Sequence, residues 1–189
     1  MRIISGIAKG RTLKMPKGVE VRPITDMIKE ALFNILAADV IDCRFLDLFA
    51  GSGSVGIEAL SRGAARVVFV DINPVCVKTI SDNIAHCGFT EGFMVYKQDA
   101  AAAIRRLREQ KNEFDLVYID PPFSQKELYN QIWQVLNEQP LLTGNGQLII
   151  RTPKTMTLPV SGSQLKLNQI RKYGDSILNF YLPERGEEF

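Results

Sequence analysis

The sequence predicts a doubly wound α/β fold on a mostly parallel, seven-stranded sheet. Three observations predict it. From residue 45 onward short apolar runs alternate with amphipathic stretches of helical period. A glycine-rich turn, "AGSG", joins the first of those runs to the stretch that follows. The alternation then breaks near the end, where two strand-like runs flank Gly174-Asp175. A strand followed by a helix cannot pair antiparallel through a tight turn, so alternation implies parallel pairing and right-handed crossovers. The closing pair reads as an antiparallel hairpin.

The elements follow in order. "MRIISGIAKGRTLKMP" alternates apolar and polar residues around Gly6 and Gly10 and reads as a small basic β-hairpin. Residues 1–22 are expected to form this extension, and residues 23–189 the main domain. After Pro23, residues Ile28, Ala31, Leu32, Ile35 and Leu36 make one apolar helical stripe, with Thr25 as N-cap. "FLDLF", "VVFVD", "FMVYKQD", "FDLVYID" and "GQLIIRT" are strands. Between them lie the helices "SVGIEALSRG", "PVCVKTISDNIAHCG", "AAAIRRLREQ" and "SQKELYNQIWQVL". "QLKLNQIRKY" and "SILNFYL" form the closing hairpin. Trp133, among Leu128, Ile132 and Leu136, belongs to the core, and "RRLREQK" is the exposed face of a helix whose Ile104 and Leu107 turn inward.

Composition narrows the function class. The 189 residues are 46% hydrophobic and 23% charged, which suits one globular unit. A net charge of +2 announces no nucleic-acid partner, but residues 1–17 hold Arg2, Lys9, Arg11, Lys14 and Lys17 and no acid. Cys43, Cys76 and Cys87 show no C-x-x-C spacing, and His86 is the single histidine, so neither a disulfide framework nor a metal site is expected. With no signal-like or membrane-length apolar run, the expected location is the cytoplasm.

Gly51, Gly53 and Gly56 spell G-x-G-x-x-G, and Asp71 follows twenty positions after the first glycine. Such glycines let backbone approach a ligand at a helix N-terminus, as in dinucleotide sites. Asp47 argues against a dinucleotide, because a carboxylate beside a pyrophosphate is repelled. It favours S-adenosylmethionine, which carries a sulfonium and an ammonium instead. Asp71 suits ribose hydroxyls in either ligand, and Asp99 suits an adenine amine.

"YIDPPF", residues 118–123, supplies the chemistry. Asp120 ends the fourth strand, beside the crevice where open α/β sheets bind ligands. The Asp120 carboxylate and a free Pro121 carbonyl can grip the hydrogens of an exocyclic base amine and stabilise charge as a methyl arrives. Pro122 stiffens the turn, and Phe123 can stack on an extruded base.

With these motifs in hand, the chain resembles the bacterial 16S ribosomal RNA guanine-N2 methyltransferases. The resemblance rests on "MRIISG...KGRTLKMP", "RPITDMIKEALFNIL", "FLDLFAGSGSVGIEALSRGA", "VVFVDIN", "FDLVYIDPPF" and "YGDSILNFY". It implies a class I, Rossmann-like methyltransferase sheet and S-adenosylmethionine as cofactor. Asp47, Gly51, Gly53, Asp71 and Asp99 would line the cofactor site, with Arg22 and Thr25 beside it. Ala50, Ser52, Ile72, Asn73 and Ala100 complete the expected cofactor set. Asp120, Pro121, Pro122 and Phe123 would hold the guanine amine. The implied partner is 16S ribosomal RNA in an assembled or assembling small subunit, with the protein acting as a monomer. Three positions depart from the family pattern. Ile24 stands where a second threonine is common, Phe123 replaces a more usual tyrosine, and Arg151-Thr152 replaces an acidic residue after the fifth strand. The competing readings are adenine-N6 methylation of DNA, an NAD-dependent oxidoreductase and an RNA-binding assembly factor without turnover.

Overall fold

The computed structural model describes residues 1–19, 23–138 and 140–184. After the N-terminal segment come α1 (Asp26–Leu36), a short 3-10 turn, β1 (Arg44–Leu48), α2 (Ser54–Ser61), β2 (Arg66–Asp71) and α3 (Pro74–His86). Then follow β3 (Phe93–Lys97), α4 (Ala100–Glu109), β4 (Phe114–Ile119), α5 (Lys126–Glu138), β5 (Leu142–Pro153), β6 (Leu165–Tyr173) and β7 (Ser176–Pro183). The strands form one sheet in the order β3-β2-β1-β4-β5-β7-β6. The first five are parallel, and β7 inserts antiparallel between β5 and β6.

Strand side chains alternate between faces, and the core divides accordingly. Phe45, Val67, Phe69, Leu116 and Ile149 pack on one face with α1, α2 and α3. Leu46, Val68, Val117, Leu148 and Ile150 pack on the other with α4 and α5. Trp133 lies in this second layer, its ring 4.6 Å from that of Tyr181. Ile104 and Leu107 point inward, as their spacing predicts. Among the described residues no helix is long and apolar enough to cross a membrane.

Local chemistry sets the helix starts. Thr25 caps α1 by accepting from the Ile28 N–H at 3.3 Å. Asn73 caps α3 through the Val75 N–H at 2.8 Å, with Pro74 pre-set for the first turn. Gly53 opens α2 at φ 77°, a left-handed conformation that disfavours a side chain. Gly56 is needed for a different reason: a Cβ there would stand 2.3 Å from the Phe69 ring, so the residue sets how closely α2 lies on the sheet.

The two arms of the N-terminal segment meet antiparallel through a bridge between Arg2 and Thr12, and the pairing does not extend into a longer ladder. The segment is joined to the main core instead. Ile3, Ala8 and Leu13 are buried in the layer that holds α1 and α2. The Ile4 and Ser5 N–H groups donate to the Glu58 carboxylate at 2.8 and 3.0 Å. Glu58 also pairs with Lys29 at 3.2 Å, both side chains fully buried, and with Arg62 at 2.8 Å. The Lys29 ammonium donates further to the Arg2 carbonyl at 2.7 Å and the Ser54 hydroxyl at 3.3 Å. One buried ion pair therefore ties α1, α2 and the first residues of the chain together. Removing one partner of such a pair leaves the other charged in a low dielectric. Lys29→Met is expected to lower stability by about 3 kcal/mol, read by urea denaturation, with faster amide exchange at Ile4 and Ser5.

Candidate functional site

In this strand order the chain runs outward in opposite directions from β1 and β4. A crevice opens between their carboxyl ends, the place where open α/β sheets hold ligands. A cavity of about 670 Å³ occupies it, within the range of small-molecule sites. Asp47, Ala50, Gly51 and Ser52 from β1 and its glycine turn line one part of it. Asp71, Ile72 and Asn73 after β2, and Asp99 and Ala100 after β3, line the next. Asp120, Pro121, Pro122 and Phe123 close the far side. Met1, Val19, Pro23 and Ile24 bring the N-terminal part of the chain to the same cavity. Gly53 and Thr25 do not line it; each starts a helix behind it. Arg22 lies outside the described residues.

The carboxylates are held in different ways. Asp71 accepts from the Gly51 N–H and from the Asn73 N–H, each at 2.8 Å. It thus locks the glycine turn to the end of β2, and a carboxylate retains further lone pairs for ribose hydroxyls. Asp99 accepts from the Ala102 N–H at 3.0 Å and caps α4. The neighbouring Gln98 also lines the cavity, and its buried Oε1 has no hydrogen-bond partner among the described residues. A buried acceptor without a donor is costly, so Gln98 is a place where a ligand amine would be welcome. Sequence reasoning passed over it in favour of Asp99.

Asp47 corrects the electrostatic expectation. Its carboxyl is 2% exposed and accepts from the Gly56 N–H at 2.9 Å. Burial pushes it up to about 8; the Gly56 bond opposes this, and the charges of Asp120 and Asp71 add to it. Burial therefore opposes the charged carboxylate at this position, and a cation beside it would favour the charged form.

The Pro121 carbonyl also differs from expectation. It is not free: the Tyr129 hydroxyl, from α5, lies 3.0 Å away and also 3.1 Å from the Arg151 carbonyl. One acceptor lone pair remains on Pro121. Asp120 meets the Arg151 guanidinium at 2.8 Å and the Tyr118 hydroxyl at 3.3 Å. Arg151 stood out in the sequence only as a departure from the family pattern, and Tyr118 and Tyr129 carried no site signal beyond their place near a strand end or on a helix face. Their burial with polar tips pointing at the D-P-P turn emerges only from the fold.

The sheet order and the cavity at its switch point are those of the class I methyltransferase fold. A family model described as Conserved hypothetical protein 95 matches residues 1–182, and the chain belongs to that family. It is similar to proteins named Ribosomal RNA small subunit methyltransferase D. The Haemophilus influenzae protein is 34% identical over 160 residues, covering 84% of this chain and 81% of that one. The Escherichia coli protein is 29% identical over 184 residues, covering 97% and 90%. The solved structure of Escherichia coli yhhF superposes with a TM-score of 0.83 at 30% identity, covering 97% of this chain and 98% of that one.

The buried Asp47 generates a pH-dependent outcome. Its folded value, about 8, lies above its ordinary value of 3.8. Between those values the folded protein keeps a proton that the unfolded chain has released, so stability falls as pH rises. Asp47→Asn keeps an acceptor for Gly56 and removes the titration. Relative to that variant, the ligand-free wild type should lose stability steadily from about pH 4 to about pH 8 and level off above. Urea unfolding of both proteins across that range checks it.

Proposed function

We propose that this protein transfers a methyl group from S-adenosylmethionine to the exocyclic N2 amine of a guanine in small-subunit ribosomal RNA. The observation that carries the proposal is the single cavity shared by the glycine turn, Asp71 and the Asp120–Phe123 turn. One cavity then serves both a nucleoside-bearing cofactor and a base brought to it. The names of the relatives support the methyl-transfer reading and the RNA substrate.

The residues fit the cofactor chemically. Gly51 and its neighbours offer a turn at a helix N-terminus for the carboxylate end. Asp71 suits the ribose hydroxyls, and the unpartnered Gln98 Oε1, with Asp99, suits an adenine amine. When bound, the cofactor supplies an electrophilic methyl on a sulfonium. The remaining work falls to the protein. Asp120 accepts from the guanine amine, and the second lone pair of the Pro121 carbonyl accepts from it as well, drawing the nitrogen lone pair out of conjugation. Phe123 stacks on the extruded ring. Positioning of the two reacting atoms supplies much of the rate. Asp47, with its carboxyl beneath the glycine turn, would favour a cationic group in the cavity.

Lys9, Lys14 and Lys17 of the N-terminal segment are exposed, and their charges suit RNA phosphates. We take the protein to act as a monomer in the cytoplasm.

Transfer of labelled methyl to purified small subunits, free ribosomal RNA and DNA, followed by nucleoside analysis, tests the proposal. Label is expected in N2-methylguanosine; label in N6-methyladenine would replace the guanine assignment with the adenine one. Asp120→Ala should lower kcat by about 10²–10³-fold, the scale of one lost transition-state contact, while calorimetry shows cofactor binding retained.

A further inference from the structure

Arg151 stands on β5 where it meets the residues that would grip the base. Its side chain is 1% exposed and pairs with Asp120 through Nη1 at 2.8 Å. Its Cζ lies 4.9 Å from the centroid of the Phe123 ring, in cation–π contact. Its Nε and Nη2 donate to the buried Ser176 hydroxyl at 3.3 and 3.2 Å, and Ser176 in turn donates to Asp175 at 3.1 Å. Its backbone carbonyl lies 3.1 Å from the same Tyr129 hydroxyl that reaches Pro121.

We propose that Arg151 is the positioning residue of the amine-gripping turn: its guanidinium, pinned from behind by Ser176, aims the Asp120 carboxylate and sets the plane of Phe123 as one unit. The inference rests on the amine-methylation reading above. Three features of the contact set support it. First, the guanidinium is planar, so a single orientation can serve a carboxylate at its edge and a ring at its face; an ammonium offers no such plane. Second, Asp120 and Phe123 lie on opposite sides of two prolines that fix the turn between them. A cation touching both removes their remaining freedom. Third, β7 supplies the anchor Ser176 directly opposite the end of β5, where it pairs with Pro153. The antiparallel insertion of β7 thereby contributes to the site without lining the cavity. Burial penalises the Arg151 charge, but the charge and hydrogen bond of Asp120, with Tyr118 and Tyr129, together hold the guanidinium above its ordinary value.

The test compares full-length wild type with Arg151→Gln, Arg151→Lys and Ser176→Ala. Wild-type transfer of label to guanine, in the same assay, tests the underlying reading separately. Arg151→Gln is expected to lower kcat by about 10²-fold, the scale of a misaligned reacting group, with the KM for the cofactor unchanged within about twofold. Arg151→Lys should recover part of kcat, since it keeps the charge and loses the plane. Ser176→Ala, which keeps the guanidinium but loosens it, should lower kcat about tenfold and decides the matter should Arg151→Gln fail to fold. Independently of turnover, the fluorine resonance of Phe123 in fluorophenylalanine-labelled protein, assigned with Phe123→Leu, should shift in Arg151→Gln, or in Ser176→Ala where that variant stands in. Wild-type kcat in the folded variants, a loss confined to cofactor KM, or an unmoved Phe123 resonance would each overturn the assignment.

Discussion

Four carboxyl groups of the described residues line one cavity, and three of them, Asp47, Asp71 and Asp120, are the constraint around which the carboxyl edge of the sheet is arranged. Asp47, Asp71 and Asp120 are close enough that the charges of the latter two raise the first. Like charges in a partly dry crevice cannot all stand bare. Each is relieved by a different means. The Asp47 carboxyl is pushed up by burial and accepts from the Gly56 N–H. Asp71 takes two backbone N–H groups from the turns on either side of it. Asp120 takes a buried arginine and a phenol. The glycine turn, the start of α3 and the end of β5 owe their local geometry to these three solutions.

A second arrangement joins this edge to the chain's beginning. The buried Lys29–Glu58 pair holds α1 to α2, and Glu58 also grips the backbone of Ile4 and Ser5. The helix that begins at the glycine turn therefore ends against the basic segment. Met1 and Ile24 complete the same cavity wall. The start of the chain thus contributes to the cavity wall through Met1 as well as carrying positive charge.

Much of this was legible in the sequence, because it depends on local pattern. Strand–helix alternation predicted the parallel sheet, and the turn at Gly174-Asp175 predicted the antiparallel end. Thr25 as a cap and Ile104 with Leu107 as an inward face followed from spacing alone. The site was legible where motifs sit at strand ends, which is why Asp71 and Asp120 were both expected at the crevice. What sequence could not show depends on long-range burial. The upward push on the Asp47 carboxyl follows from its burial. The Asp120 partner of Arg151 lies 31 residues away, just past the end of β4. The occupied carbonyl of Pro121 depends on how α5 packs back over the turn.

That carbonyl repays attention to the phenol beside it. Tyr129 has a single hydroxyl hydrogen and two carbonyl oxygens within reach, on Pro121 and Arg151. Only one can be satisfied at a time. The phenol can therefore turn from one oxygen to the other without stranding its hydrogen in a dry interior. The turn at Pro121 can thus change its hydrogen-bond partner through one phenol rotation, with no rearrangement of the backbone.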